Sequence, residues 1–318
     1  MYFPYTELME KLILIDGTGL IYRGFYAIPP YLKNKAGVQT NAVFGFTSIL
    51  LSILEQQSPN YMCIAFDLKG KTFRHEAYEE YKATRTKAPD ELFAQIPLCK
   101  EVVDAFGIPK FELAGYEADD LLATICEKMR AKNELHSLVA TGDFDLFQLI
   151  SPNTSILYPT KGFRGADIMD REKMYAKYEI YPEQVCDYKA LAGDSSDNIP
   201  GVRGIGPKGA KTLLSNHKTL EKIYENIENV TGATKQKLID SKDIAFMSQK
   251  LCTLDREAPI EFDLPLCVVK EFDAEKVGRI FTNLSFISLL RRLELLYPQI
   301  KYVQKTSQAE ENKQATLF

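Results

Sequence analysis

The chain has 318 residues, 45% of them hydrophobic, and carries 39 basic against 43 acidic side chains for a formal charge of −4. That apolar content excludes a disordered chain, and the length allows two domains around a large core. No apolar run reaches the length of a membrane span, and the start, "MYFPYTELMEKLILID", has an acidic interruption and no small-residue cleavage site, so neither a membrane protein nor a signal peptide is expected.

The first predicted strand is "LILID" at 12–16, which ends on Asp16. A helix pattern, "TNAVFGFTSILLSILEQQ", then starts from Thr40 as its N-cap. The second strand, "YMCIAF" at 61–66, is followed at once by Asp67. Residues 69–89, "KGKTFRHEAYEEYKATRTKAP", interleave bases, acids and tyrosines. They read equally as a solvated helix face and as a segment serving whatever Asp67 does. A third strand, "IPKFEL" at 108–113, leads to "GYEADD" at 115–120, where Glu117, Asp119 and Asp120 crowd the mouth of the helix "LLATICEKM". A helix N-terminus offsets part of that repulsion, so an ordinary acidic helix start is the bland alternative. The fourth strand, "SLVAT" at 137–141, is followed by Asp143 and Asp145 in "TGDFDL".

Continuous apolar strands alternating with helices predict a parallel sheet covered on both faces, with ligands beyond the carboxyl ends of its strands. Each of the four strands delivers acid at that one edge. Carboxylates without histidine or thiolate partners suit Mg²⁺ or Mn²⁺, with calcium a structural alternative, although no EF-hand loop is present. The three histidines and six cysteines are scattered, with no C-x-x-C, so zinc and a histidine-dependent nucleophile are poorly supported. Buried reduced thiols in a cytoplasmic protein are expected. If the strand-end acids form one metal cluster, the rest of the chain is net basic, and the acidic total does not exclude nucleic acid.

Residues 191–214 read "LAGDSSDNIPGVRGIGPKGAKTLL". Gly204, Ile205, Gly206 and Pro207 predict a tight turn before a helix N-terminus, reinforced by Arg203, Lys208 and Lys211. This resembles a helix–hairpin–helix element that holds a nucleic-acid backbone without reading bases; a plain glycine-rich turn is the alternative. Asp194 and Asp197 just upstream either cap helices or complete the metal cluster.

Taken together, Asp16 with "YRGFYAIP", Asp67, "EADD", Asp143 and Asp145, "GDSSDNIPG" and "EYKATR" resemble the flap endonuclease family, from about Lys11 to Pro298. The likeness is to the bacterial 5′→3′ exonucleases, which occur alone or as the N-terminal domain of DNA polymerase I. The resemblance implies a PIN-like α/β fold with a twisted, mainly parallel sheet over residues 1–180 and a helical arch at about 69–95. It implies a helical DNA-binding subdomain at 181–300, with a helix–three-turn–helix at 186–216, and a flexible tail at 301–318. Nine acids would hold two divalent metals: Asp16, Asp67, Glu117 and Asp119 or Asp120 the first, and Asp143, Asp145, Asp194 and Asp197 the second. Lys82 and Arg85 would be catalytic. Arg74, Tyr81, Arg203, Gly204, Gly206, Lys208 and Lys211 would meet DNA, and hairpin carbonyls would hold K⁺. The substrate would be DNA with a 5′ flap, nick or 5′ end, including RNA-primed ends, and the enzyme a monomer. A catalytically silent scaffold of the same fold predicts gaps in the acid set, and the set has none. A related metal-dependent RNase is disfavoured by the duplex-binding hairpin.

The chain ends in "KTSQAEENKQATLF", polar up to Leu317 and Phe318. "QATLF" resembles the peptide by which bacterial replication and repair proteins bind the sliding clamp, with Gln314 as polar anchor and Leu317 and Phe318 in an apolar pocket. Docking of those two residues on the chain's own nuclease domain is the alternative.

Overall fold

The computed structural model describes residues 9–132, 134–160 and 162–298. The tail with Gln314, Leu317 and Phe318 lies outside them. Six strands form one sheet: β1 (Glu10–Asp16), β2 (Tyr61–Ala65), β3 (Lys110–Phe111), β4 (Leu135–Ala140), β5 (Thr154–Tyr158) and β6 (Asp167–Met169). Their order is β3-β2-β1-β4-β5-β6, with every pairing parallel except β5 with β6.

The unbroken apolar run of β1 follows from burial on both faces. Leu12 and Leu14 point into one core with the helix Ala118–Met129 and the helices of the second half. Ile13 and Ile15 point into another, built with the helices Gly17–Ala27, Asn41–Gln57 and Ile96–Ala105. Gly24 and Gly45 let the first two of these helices touch, since a Cβ on Gly45 would lie 2.4 Å from the Gly24 Cα. The first core runs without a break from the sheet into Leu191, Leu214 and Leu264. The last two helices, Ala274–Asn283 and Ile287–Leu296, return to the opposite face. Among the described residues no helix is long and apolar enough to cross a membrane, and the six cysteines are free thiols, five of them buried.

Residues 69–95 depart from a helical arch. Only Phe73–Ala77 and Asp90–Phe93 are helical, and the stretch between them is irregular. Its backbone is instead bound elsewhere: Lys82 N donates to Asp197 O at 2.9 Å with Lys82 at φ +57°, and Asn198 Nδ2 donates to Glu80 O at 2.7 Å. Contacts to a loop more than a hundred residues away take the place of a helical ladder. β3 is also shorter than expected, pairing only with Ile64 and Ala65 at the sheet edge.

Candidate metal centre and nucleic-acid interface

Four neighbouring strands, β3-β2-β1-β4, end at one edge, and that register gathers the acids. Asp16 closes β1 and caps the next helix, accepting from Gly19 N at 2.8 Å through Oδ1 and from the Thr141 hydroxyl at 2.9 Å through Oδ2. Asp67, just beyond β2, accepts from Ala118 N at 2.7 Å. Asp119 sits in the first turn of Ala118–Met129, and Asp143 follows β4, accepting from Asp145 N at 2.9 Å. Among the described residues none of Asp16, Asp67, Asp119 and Asp143 makes an ion pair with a basic side chain. Burial, then the neighbouring charges of Asp67 and Asp143, push the Asp16 carboxyl up to about 7. Desolvation raises Asp67 as well, although one side of it is open to solvent, and raises Asp119 with the help of Asp143, Asp16 and Asp67. An all-oxygen cluster that holds protons against its ordinary tendency fits a hard divalent cation.

A second group differs in kind. Asp145, Asp194 and Asp197 place carboxylate oxygens within 4.8 Å of one another, but each already faces a cation. Buried Lys189 contacts Asp145 and lies 2.5 Å from Asp194. Arg85 pairs with Asp197, whose other oxygen lies 3.9 Å from Lys82 Nζ. Desolvation raises Asp145 to about 7 despite Lys189; at Asp194 burial opposes but Lys189 and Ser196 win and hold it below the usual range. Glu117 links the two groups, accepting from Lys82 Nζ at 2.7 Å. Nothing in "DYKALAGD" marked Lys189: Asp194 is in the same stretch, but its other partner, Asp145, comes from the segment after β4.

Three expected site residues turn inward. Asp120 is fully buried, and all its acceptor positions are used: Oδ1 by Arg74 and Asp255 N, Oδ2 by Arg74 and Glu117 N, at 2.7–3.0 Å. A carboxylate so saturated has no lone pair free for a metal. Arg74, 1% exposed, also donates to Leu251 O and Thr253 O. It knits three segments together and has no surface to offer DNA. Tyr81 is 3% exposed, with its hydroxyl 3.2 Å from Glu117 and Asp197.

The hairpin lies between the helices Val185–Ala192 and Pro207–His217. Arg203, Gly204, Gly206 and Lys208 are exposed, while Lys211 is half-buried and donates to Glu179 at 3.1 Å. Gly204 has φ +81°, as a tight turn requires. Its carbonyl accepts from Lys237 Nζ at 2.9 Å.

A sequence model described as "5'-3' exonuclease, N-terminal resolvase-like domain" matches residues 11–179, and one described as "5'-3' exonuclease, C-terminal SAM fold" matches residues 180–275. The chain belongs to the 5′-3′ exonuclease family. It is 44% identical over 285 residues to DNA polymerase I of Bacillus subtilis (strain 168), covering 89% of this chain and 32% of that one. It is 38% identical over 310 residues to DNA polymerase I of Caldicellulosiruptor bescii, covering 96% and 36%. The chain thus spans about a third of the length of the curated relatives it matches. Among solved structures it resembles the 5′-exonuclease of T5 bound to divalent zinc, with TM-score 0.62, 24% identity, and coverage of 77% of this chain and 90% of that one. The catalytic core of Rad2 in complex with DNA substrate follows at TM-score 0.57 and 16% identity, with 87% of each chain covered. At these identities the structural likeness shows the fold.

The raised carboxyls predict an unusual stability profile. In the folded chain Asp16 and Asp145 keep their protons up to about pH 7, whereas the unfolded chain releases them in the ordinary carboxylate range. Between those limits the native state binds more protons, so metal-free stability falls as pH rises through the window and levels off above it. Melting in EDTA should therefore drop from about pH 5 to about pH 8, and Mg²⁺ should restore much of the loss at the upper end. A metal-free melting temperature that stays flat or rises across this range contradicts the cluster's electrostatics.

Proposed function

We propose that the chain is a structure-specific 5′→3′ exonuclease and flap endonuclease that hydrolyses DNA phosphodiesters with two divalent ions, Mg²⁺ or Mn²⁺, at 5′ flaps, nicks and RNA-primed ends. The observation that carries this reading is the group of four carboxylates without cationic partners at the strand edge, beside a basic glycine hairpin. Asp16, Asp67, Glu117, Asp119 and Asp143 would hold one metal, and Asp145, Asp194 and Asp197 the other. Bound there, the metals would supply Lewis acidity toward the scissile phosphate and lower the pKa of the attacking water. The chain's own residues do the rest. Lys82 and Arg85 bring positive charge to the cluster, and a phosphate entering it would compete for both as charge grows on its oxygens. Arg203, Lys208 and Lys211 would hold duplex backbone away from the cut. A K⁺ ion on backbone carbonyls of the hairpin, as the resemblance implies, would bridge to duplex phosphate; Gly204 O there accepts one hydrogen bond, from Lys237 Nζ, and keeps a second lone pair. The protein would act as a cytoplasmic monomer.

Incubation with a labelled 5′-flap duplex tests the assignment. Cleavage should need Mg²⁺ or Mn²⁺ and stop in EDTA; intact flap under all metal conditions rejects it. Lys82→Ala should reduce turnover far more than affinity, because its charge is needed most in the transition state. Equal losses would make Lys82 a simple phosphate contact.

The ending "QATLF" supports a second partner, the bacterial sliding clamp, through Gln314, Leu317 and Phe318. A clamp tether would raise the enzyme's effective concentration at nicks. Deleting residues 314–318 should leave cleavage of free flap DNA unchanged and remove clamp binding, read by surface plasmon resonance. Full-length protein that fails to bind its cognate clamp at tens of micromolar, roughly the range of weak peptide contacts, excludes this partner.

A further inference from the structure

The segment 80–85, which carries Lys82 and Arg85, lies against the loop 194–199, which carries Asp194 and Asp197. That loop is closed on itself, since Asp194 and Ile199 exchange both backbone hydrogen bonds at 2.8 Å. Onto it Lys82 N donates to Asp197 O at 2.9 Å and Arg85 Nε to Ser196 O at 3.1 Å, while Tyr81 packs with Ile199, Leu251 and Cys252. Among the described residues, two side chains of the loop bond this segment, those of Asp197 and Asn198.

Asp197 binds through its charge, pairing with Arg85 and facing Lys82 and the Tyr81 hydroxyl. A metal ion would compete for that carboxylate, and a phosphate for those cations. Asn198 is different. Its Nδ2 donates to Glu80 O at 2.7 Å, a bond between neutral groups that neither ligand displaces. The same carbonyl accepts from Ala83 N at 3.0 Å, so Asn198 braces the turn in which Lys82 sits. Lys82 has φ +57°, a left-handed conformation that a lysine keeps only where its surroundings hold it. Asn198 is left-handed too, at φ +56°. Asparagine meets both demands at this position, because it tolerates that conformation and carries a donor; glycine and aspartate meet only the first.

We propose that Asn198 is a positioning residue for cleavage, holding Lys82 and Arg85 over the acid cluster through the Glu80 carbonyl. This rests on the reading of Lys82 and Arg85 as the residues that meet the scissile phosphate. The test compares wild type with Asn198→Gly, each with and without Lys82→Ala and Arg85→Ala together. Single-turnover cleavage of a 5′-flap duplex is read in Mg²⁺, and affinity by anisotropy in EDTA. Asn198→Gly keeps the backbone conformation and removes the donor. It should slow cleavage about tenfold, as misplaced groups do, with affinity changed less than roughly twofold. Where Lys82 and Arg85 are absent it should slow cleavage no further. In the metal-free protein, trypsin should nick after Lys82 and Arg85 several-fold faster in Asn198→Gly, with nicking after Lys35, on an exposed turn, unchanged. Wild-type cleavage by Asn198→Gly overturns the proposal. So does an equal loss in both backgrounds, which would place the effect on the loop of Asp194 and Asp197 instead. Faster nicking at Lys35 as well would make Asn198 a general structural residue, and unchanged nicking at Lys82 and Arg85 rejects the brace even if the double-alanine background cleaves too slowly to measure. If removing Lys82 and Arg85 leaves cleavage at the wild-type rate, the reading of those two residues falls and the proposal falls with it.

Discussion

Asp143→Ala should abolish flap cleavage, by about a thousandfold or more, while the protein still folds and binds flap DNA. The magnitude corresponds to losing a Lewis-acid centre that stabilises the transition state by several kcal/mol. Folding should survive because Asp143 is exposed, forms no ion pair among the described residues, and accepts only from Asp145 N near its own turn. Binding should survive because the hairpin lies on other elements, and removing a carboxylate lessens repulsion toward phosphate. Single-turnover cleavage and anisotropy in EDTA, run on the same preparation, check both halves. Turnover at the wild-type rate removes Asp143 from the metal centre. A parallel loss of melting temperature would make it a structural residue like Asp120.

That contrast marks what the sequence could and could not reveal. The acids after β1, β2, β3 and β4 were legible because a parallel sheet sends all its carboxyl ends to one edge, a property of topology rather than of side-chain detail. β5 and β6 were not expected: "TSILY" is short, and "DIM" is a three-residue antiparallel edge with no alternation to detect. The hairpin was legible from local glycine chemistry, but its Lys237 partner comes from 33 residues further on. Lys189 was invisible because Asp145, the partner that ties it to the other acids, lies in a distant stretch of the chain. Charged residues of the 69–89 segment all look solvated in sequence, and only the fold separates Arg74, sealed beneath Leu251 and Thr253, from exposed Lys87.

Arg74→Met should therefore destabilise the protein severely, not merely weaken DNA binding. The guanidinium pairs with both oxygens of fully buried Asp120 at 2.7 and 2.8 Å; burial opposes its charge, but Asp120 and then Glu117 outweigh burial and hold its pKa above the ordinary value. Breaking a buried pair on one side leaves an uncompensated charge, at a cost of about 3–5 kcal/mol. Leu251 O and Thr253 O would lose their donor as well. Asp120→Ala should cost a similar amount, since it strands Arg74 along with the N–H groups of Glu117 and Asp255. The double variant should lose clearly less than the sum, because the charge left behind by each single change is gone. Denaturant melts of the four proteins measure that coupling. Additive losses would mean that the two residues act separately, and would reopen Asp120 as a metal ligand. If they couple, Asp120 belongs to the scaffold that fixes Glu117 and Asp119 at the helix mouth, and any loss of cleavage in its variants should follow the loss of folded protein.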